Sequence, residues 1–325
     1  TRPFHRGEAW GGSDHNYNCW WDDIHLNHNL NMTSPFWGEF GIASLPHIES
    51  VERYLAEEKD IWPSREGGHF RHHTPIFGTM GEFGKLSQYS GYFMPDTTLA
   101  EFIIGSQLSQ VVGVRHTLER ARTRWPETTG ALYYKMNDNY PGVSWGCVDY
   151  YGAIKPVHYF VQKSFAPLTG VLLFDRTNLS SQEASLPLYL LDDCNRLKGK
   201  DYTVSVTVYN AQLDTIVNRE FEGRGDDATV KQLGTLDLTR AQTKTTMLFF
   251  VVDVLCDGDR LARNYYFTNY EVRRGVIMSM PRTDVALAQD GHRVTVTNTG
   301  KLPAIGVHVE WPGHAHEFVA SENYL

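Results

Sequence analysis

The order of predicted helices and strands in the first 168 residues constrains the fold more than any other feature of this sequence. Short runs rich in aromatic residues predict strands, and apolar residues that recur every three or four positions predict helices. These rules assign strands to residues 2–6, 35–37 and 131–136 and helices to residues 48–55, 98–125 and 157–165. Strands that alternate with helices are typical of a (β/α) barrel, in which parallel strands present polar side chains at their carboxyl ends.

After residue 168 the pattern of apolar residues changes to a period of two. Apolar and polar side chains alternate from Tyr202 to Val208, which indicates a half-buried strand. The denser apolar run at residues 245–255 indicates a central strand that is buried on both faces. The span from residue 171 to residue 270 therefore predicts an all-β sandwich.

A second set of alternating valines begins near Val285. It includes positions 294, 296, 307 and 309, which surround a predicted turn at residues 298–300. This set contains too few strands to close a second sandwich. The predicted domains are residues 1–168, 169–275 and 276–325.

Both ends of the chain are expected to be incomplete. A (β/α) barrel needs eight strands, and only three are predicted here. A partial barrel leaves buried strand edges without hydrogen-bond partners and should not fold alone. We therefore expect the remaining strands from the same longer polypeptide or from another chain.

Composition restricts the function to a few classes. The 325 residues contain 30 basic and 38 acidic side chains, which give a net charge of −8 and disfavour binding to nucleic acid or to an anionic membrane. Four widely separated cysteines and scattered histidine pairs lack the spacing of metal ligands, so we expect neither a metal nor another cofactor. No apolar run is long enough to span a bilayer. We expect a soluble protein, and both a cytoplasmic and an exported location stay open.

Two motifs indicate the chemistry. Glu39 ends an aromatic run, directly before Phe40 and Gly41, and a Ser-Leu-Pro continuation follows at residues 44–46. Residues 130–138 have the sequence Gly-Ala-Leu-Tyr-Tyr-Lys-Met-Asn-Asp. That segment continues with Pro141, Ser144-Trp145, Asp149-Tyr150-Tyr151-Gly152, Lys155 and His158-Tyr159.

In this order the two motifs resemble the catalytic region of the β-mannosidases of glycoside hydrolase family 2. The resemblance implies the carboxyl-terminal part of a (β/α)8 TIM barrel followed by immunoglobulin-like β-sandwich domains. It also implies a retaining exo-β-glycosidase that acts on terminal sugars, most plausibly β-mannosides. A β-glucosaminidase or β-galactosidase of the same family and a non-catalytic carbohydrate-binding fragment are the alternatives.

The resemblance places the nucleophile at Glu39. Gly-Glu-Phe-Gly also occurs at residues 81–84, but that copy follows no strand-like run, so Glu82 is the weaker candidate and is expected in a loop. A retaining glycosidase needs a second carboxyl group about 5 to 5.5 Å away as acid/base. In the family that residue lies in an Asn-Glu motif on an earlier strand, so we expect it upstream of Thr1.

The predicted substrate-binding residues are aromatic or polar and flank the predicted strands. They are Trp10, His15, Tyr134, Asn137, Asp138 and Trp145. For His15, hydrogen bonding to a sugar hydroxyl and a structural role in a loop are equally open. The family has Trp-Gln where this chain has Tyr134 and Lys135, which predicts a first subsite of different shape, because tyrosine is smaller than tryptophan and carries a hydroxyl.

Overall fold

The computed structural model describes residues 13–21, 26, 32–55, 72–74, 80–95, 97–320 and 323–324. The first part of the chain contains strands β1 (Ser13–Asn16), β2 (Phe36–Phe40) and β3 (Gly130–Tyr133). It also contains helices α1 (Asn18–Trp21), α2 (Ile48–Tyr54), α3 (Met80–Phe93), α4 (Leu99–Thr123) and α5 (Pro156–Ser164). The strand predicted at residues 2–6 lies outside the described residues.

The three strands form one parallel sheet in the order β1-β2-β3. The central strand β2 buries Trp37 and Phe40 completely, which explains why an aromatic run forms a strand here. Over the described residues this sheet is open, and no closed barrel is formed. The alternation of parallel strands and helices agrees with the predicted α/β class.

Strand β1 was not predicted. Its sequence, Ser-Asp-His-Asn, has no apolar residue, so its strand conformation depends on pairing with β2 rather than on its own composition. His15 therefore lies in a strand and not in a loop. Because the two strands are parallel and His15 pairs with Glu39, both side chains lie near the carboxyl edge of the sheet.

Three helices occur where the apolar spacing predicts them, and these are α2, α4 and α5. Helix α4 begins after Thr98, whose hydroxyl accepts a hydrogen bond from the Glu101 backbone N–H while the Glu101 carboxylate accepts one from the Thr98 N–H. These two hydrogen bonds form a capping box. The helix ends at Thr123, two residues before Trp125.

Two local predictions are wrong. Glu82 was expected in a loop, but it lies within helix α3 (Met80–Phe93). Buried side chains such as Leu86, Tyr89 and Phe93 hold this helix in place although it is rich in glycine and tyrosine. Strand β3 is also shorter than predicted, because it ends at Tyr133 rather than at residue 136.

The second part of the chain consists of two packed antiparallel sheets. Their strands are β4 (Leu168–Leu172), β5 (Ala184–Asp192), β6 (Asp201–Tyr209), β7 (Thr215–Arg224), β8 (Val230–Leu238), β9 (Leu248–Cys256) and β10 (Asp259–Thr268). One sheet has the order β4-β5-β8 and the other β10-β9-β6-β7. Inward side chains such as Leu188, Val206 and Val252 are fully buried between the sheets. This arrangement is consistent with the predicted immunoglobulin-like sandwich, with β9 as a central strand.

A short helix α6 (Arg240–Thr243) joins β8 to β9, and a 3-10 turn (Val276–Ser279) follows the sandwich. Strands β11 (Val285–Asp290) and β12 (Arg293–Asn298) then form an exposed hairpin. The turn of this hairpin lies at residues 291–292, and positions 307 and 309 are outside any strand, so the predicted alternation beyond residue 298 is wrong. The predicted domain limits stay predictions.

Where the chain is described, no helix is long and apolar enough to cross a membrane.

Candidate active site

Glu39 lies one residue before the end of β2, at the carboxyl edge of the parallel sheet. Its side chain is 36% exposed, whereas the neighbouring Trp37 and Phe40 are buried. The carboxylate is therefore accessible while its backbone is fixed by the core. This is the position in which a parallel sheet presents a reacting group to a cleft.

Two side chains, His15 of β1 and Tyr17 directly after β1, face the Glu39 carboxylate. The Tyr17 hydroxyl donates a hydrogen bond of 2.8 Å to Oε1, and His15 Nδ1 lies 3.8 Å from Oε2. Burial and the hydrogen bond to Glu39 raise the pKa of Tyr17, so the phenol keeps its proton and acts as a donor. Both oxygens of the carboxylate thus have a fixed neighbour.

Tyr17, which bonds Glu39, belongs to a cluster of three aromatic rings. The Trp145 ring meets the Tyr17 ring edge to face at a centroid distance of 6.1 Å and the Tyr134 ring at 5.9 Å. Tyr134 follows the end of β3 and is 40% exposed. Exposed aromatic faces beside a carboxylate suit the apolar face of a sugar ring.

The two glycines that flank this region are required by close packing. A Cβ atom at Gly41 would overlap the Tyr134 carbonyl oxygen and lie 2.9 Å from Trp145 Cδ1. A Cβ atom at Gly38 would lie 2.6 Å from Ser13 Oγ. The Gly-Glu-Phe-Gly sequence therefore allows the neighbouring backbone and side chains to approach Glu39 closely.

Two of the predicted binding residues, Asn137 and Asp138, lie in the segment after β3 and have different surroundings. Asp138 is buried, and its Oδ1 atom lies 3.3 Å from Lys135 Nζ and accepts a hydrogen bond from Ser144. Asn137 is exposed and donates a bond of 3.3 Å to the Asp138 carbonyl. Asp138 thus contacts protein groups that hold the loop, while Asn137 remains open to solvent.

The structure brings His15, Glu39, Tyr134 and Trp145 into one region, together with Tyr17. Trp10 lies outside the described residues. The side chain of Glu82 is also outside them, although its backbone belongs to α3. Trp20 is buried against Tyr89 and packs in the core.

Sequence reasoning missed Gln110 on α4. Its side chain is fully buried and reaches the segments that carry Glu39 and Trp145. A glutamine in the middle of a helix is a weak signal in a sequence, although buried glutamines are uncommon.

The described residues contain no group of three or more histidine, cysteine, aspartate or glutamate side chains placed to hold a metal ion.

No protein-family model matches the chain. Among curated proteins, the chain is 25% identical to β-mannosidase B of Aspergillus niger over 183 residues, which are 51% of this chain and 21% of that protein. It is 28% identical to the β-mannosidase of Mus musculus over 177 residues, which are 49% of this chain and 19% of that protein. The chain therefore spans about a fifth of the length of these relatives.

Solved structures show the same fold. The β-D-mannosidase of Dictyoglomus thermophilum matches 82% of this chain and 31% of that chain, with a TM-score of 0.66 and 23% identity. The exo-chitosanase of Amycolatopsis orientalis matches 91% of this chain and 38% of that chain, with a TM-score of 0.68 and 16% identity. In sequence and in fold the chain is therefore similar to β-mannosidases, in agreement with its resemblance to glycoside hydrolase family 2.

Proposed function

We propose that this chain carries the nucleophile of a retaining exo-β-glycosidase that removes terminal β-linked sugars, most plausibly mannose. The observation that carries the proposal is the Glu39 carboxylate. It lies at the carboxyl edge of a parallel sheet, accepts a hydrogen bond from Tyr17 and lies beside His15. The similarity to curated β-mannosidases supports the substrate class.

In the proposed first step, a Glu39 oxygen bonds to the anomeric carbon as the glycosidic C–O bond breaks, and a proton donor protonates the leaving oxygen. In the second step, water attacks the anomeric carbon, gives its proton to the same donor and releases Glu39. The Tyr17 hydroxyl orients the carboxylate before attack and remains bonded to it after sugar release. His15 is placed to bond a sugar hydroxyl.

The proposal assigns the three-stranded parallel sheet to a (β/α)8 barrel. The other strands and the acid/base carboxyl group would come from outside the described residues, in a longer polypeptide or another chain. The relatives are about five times longer than the matched region, which supports this arrangement. Residues 169–275 would form one sandwich unit, and residues 276–325 would be the start of a second, incomplete one.

For the first subsite, we propose that Tyr134 and Trp145 form the aromatic wall, with Asn137 at its rim. Asp138 would support this wall through Lys135 and Ser144 rather than touch the sugar.

Replacing Tyr134 with tryptophan enlarges the exposed ring. We expect Tyr134→Trp to change the ratio of rates on aryl β-mannosides, β-glucosides and β-galactosides, measured side by side. An unchanged ratio would place Tyr134 outside the first subsite.

The proposed nucleophile is tested by covalent trapping. The natural polypeptide that contains this sequence is incubated with 2-deoxy-2-fluoro-β-mannosyl fluoride, and its intact mass and peptide map are recorded. Fluoride leaves without protonation, so the label depends on the nucleophile more than on the proton donor. We expect a stoichiometric label on the peptide that contains Glu39.

Two variants complete the test. Glu39→Gln should lose roughly 10³-fold or more in turnover with an unchanged melting temperature, because a neutral amide cannot attack the anomeric carbon. Glu82→Gln, in the second Gly-Glu-Phe-Gly copy, is the matched control and should retain wild-type turnover. Near-normal hydrolysis by Glu39→Gln would refute the assignment, and a protein that neither labels nor hydrolyses any glycoside would favour a non-catalytic carbohydrate-binding function.

A further inference from the structure

Gln110 lies in the middle of α4 and is completely buried. A glutamine amide carries two N–H donors and a carbonyl acceptor, and burial is costly unless these groups are bonded. Here all of them are bonded, and none of the partners belongs to α4 itself. The side chain therefore links the helix to other segments rather than stabilising the helix.

The bonds of Gln110 reach three separate segments. Its Nε2 atom donates to the carbonyls of Ile42 at 2.9 Å and Trp145 at 3.1 Å, and it lies 3.1 Å from the Tyr133 hydroxyl. Its Oε1 atom accepts a hydrogen bond of 2.7 Å from the Ser44 hydroxyl. The Tyr133 hydroxyl in turn donates to the Trp145 carbonyl, so the partners are also connected to each other.

Each of these segments carries a residue of the candidate active site. Ile42 is three residues after Glu39 on the same strand and turn. Tyr133 ends β3 and directly precedes Tyr134, and Trp145 contacts both Tyr17 and Tyr134. One amide thus sets the separation between the strand that presents Glu39 and the wall formed by Tyr134 and Trp145.

We propose that Gln110 is a positioning residue for the Glu39 site, and this inference rests on the proposed glycosidase function. It touches neither substrate nor the reacting atoms. It fixes the Trp145 backbone against the turn after β2, so that the sugar on the aromatic wall meets the Glu39 carboxylate at bonding distance. A displacement of about 1 Å in such an arrangement costs roughly 100-fold in rate.

Gln107 provides a matched control. It lies one turn earlier on α4, is 7% exposed, and donates a single hydrogen bond of 3.1 Å to the Leu45 carbonyl. A change at Gln107 therefore removes a buried amide of the same type from the same helix. It leaves the bonds to Tyr133 and Trp145 intact.

The experiment compares Gln110→Met with Gln107→Met in the natural polypeptide. Melting temperature, kcat and KM on an aryl β-mannoside are measured, together with the rate of labelling by the fluorinated mannosyl fluoride. We expect Gln110→Met to lose more stability than Gln107→Met, because it breaks four buried hydrogen bonds instead of one. Only Gln110→Met should lose about 10- to 100-fold in kcat and in labelling rate, with a smaller change in KM. Equal kcat in the two variants, at temperatures below both melting transitions, would overturn the inference.

A second variant covers the case in which Gln110→Met does not fold. Tyr133→Phe deletes only the hydroxyl that connects Gln110 to Trp145 and keeps the ring against Phe40. We expect a smaller but measurable fall in kcat, and the double variant should be less than additive because both changes break one network. Wild-type kcat in Tyr133→Phe would overturn the inference.

Wild-type protein and Glu39→Gln are assayed in parallel. A wild-type protein without turnover or label would reject the proposed function itself. A wild-type protein that is active, and that loses activity with Glu39→Gln but not with the Gln110 or Tyr133 changes, would reject only the positioning role.

Discussion

At the scale of single residues, the contact between Tyr17 and Glu39 joins the end of β1 to the end of β2. Burial and the hydrogen bond to Glu39 raise the pKa of Tyr17. The phenol therefore stays protonated across the physiological range and donates to Glu39 Oε1.

Tyr17→Phe isolates that hydrogen bond, because the phenyl ring preserves the contact with Trp145. Hydrogen bonds to charged groups contribute about 1.5–3 kcal/mol, so we expect kcat to fall roughly 10- to 100-fold if the bond is needed in the transition state. The measurement is turnover of an aryl β-mannoside. Tyr150→Phe, at an exposed tyrosine that packs against Tyr151, is the control and should retain full activity. Equal activity in both variants would remove Tyr17 from the mechanism.

At the scale of elements, α4 is the longest helix described, with 25 residues. Its buried face contacts the parallel sheet through Gly113, at which a Cβ atom would lie 2.7 Å from Ile42 Cγ1. The capping box of Thr98 and Glu101 satisfies backbone donors at its exposed beginning. The start of this helix is thus determined by local sequence and its position by packing.

Thr98→Ala removes the cap and should lower the free energy of unfolding by about 1 kcal/mol. Urea denaturation measures this change. Thr98→Ser retains the hydroxyl that accepts from the Glu101 N–H and should recover most of the stability. Equal free energies of unfolding for Thr98→Ala and Thr98→Ser would show that the cap does not contribute to stability.

The local pattern of apolar and polar residues predicted those helices and strands whose structure is determined by their own residues. The apolar spacing of α4 and the alternation in β6 were sufficient, because the period of each element is present in its own sequence. Strand β1 could not be predicted, since its polar residues become a strand only by pairing with β2. For the site, the motif selected Glu39, but the Gln110 bonds span 23 to 68 residues in sequence, and no local pattern encodes such contacts.

At the scale of the whole molecule, a buried polar network joins α4 to the sandwich. Arg115 pairs with Glu119 at 3.0 Å and donates to Asn264 and to the Tyr265 carbonyl. Glu119 also accepts hydrogen bonds of 2.9 Å from Asn264 and from Tyr266. Because both charges are buried and paired, the two parts of the chain are held in one orientation.

Glu119→Gln leaves the Arg115 guanidinium buried without its counter-charge. Such losses typically cost 3–5 kcal/mol, so we expect a decrease of roughly this size in the free energy of unfolding. Asp201→Asn, which breaks an exposed pair with Arg224, should cost less than about 1 kcal/mol. Urea denaturation of both variants provides the comparison. Similar losses would mean that the Arg115 network does not stabilise the interface.

The same interface should make the molecule sensitive to acid. His116 packs against Phe174 and Tyr266 of the sandwich, and burial together with the neighbouring Arg115 lowers its pKa to about 3. Between pH 6.5 and pH 3, the unfolded chain binds a proton at this position and the folded chain does not. Above pH 6.5 this proton uptake does not affect the free energy of unfolding. As the pH falls below 6.5, it lowers the free energy of unfolding, by about 2 kcal/mol at pH 5.

His116→Phe keeps a ring against Tyr266 but removes the titrating group. We expect the difference in unfolding free energy between pH 7 and pH 5 to be about 2 kcal/mol smaller in this variant than in the wild type. His158 is only partly buried, and burial lowers its pKa, so His158→Gln should change the pH dependence in the same direction but less. If His116→Phe retains the full acid sensitivity, the proton uptake that lowers the free energy of unfolding must occur at another group. The buried imidazole would then contribute packing alone, as its stacking on Tyr266 requires no charge.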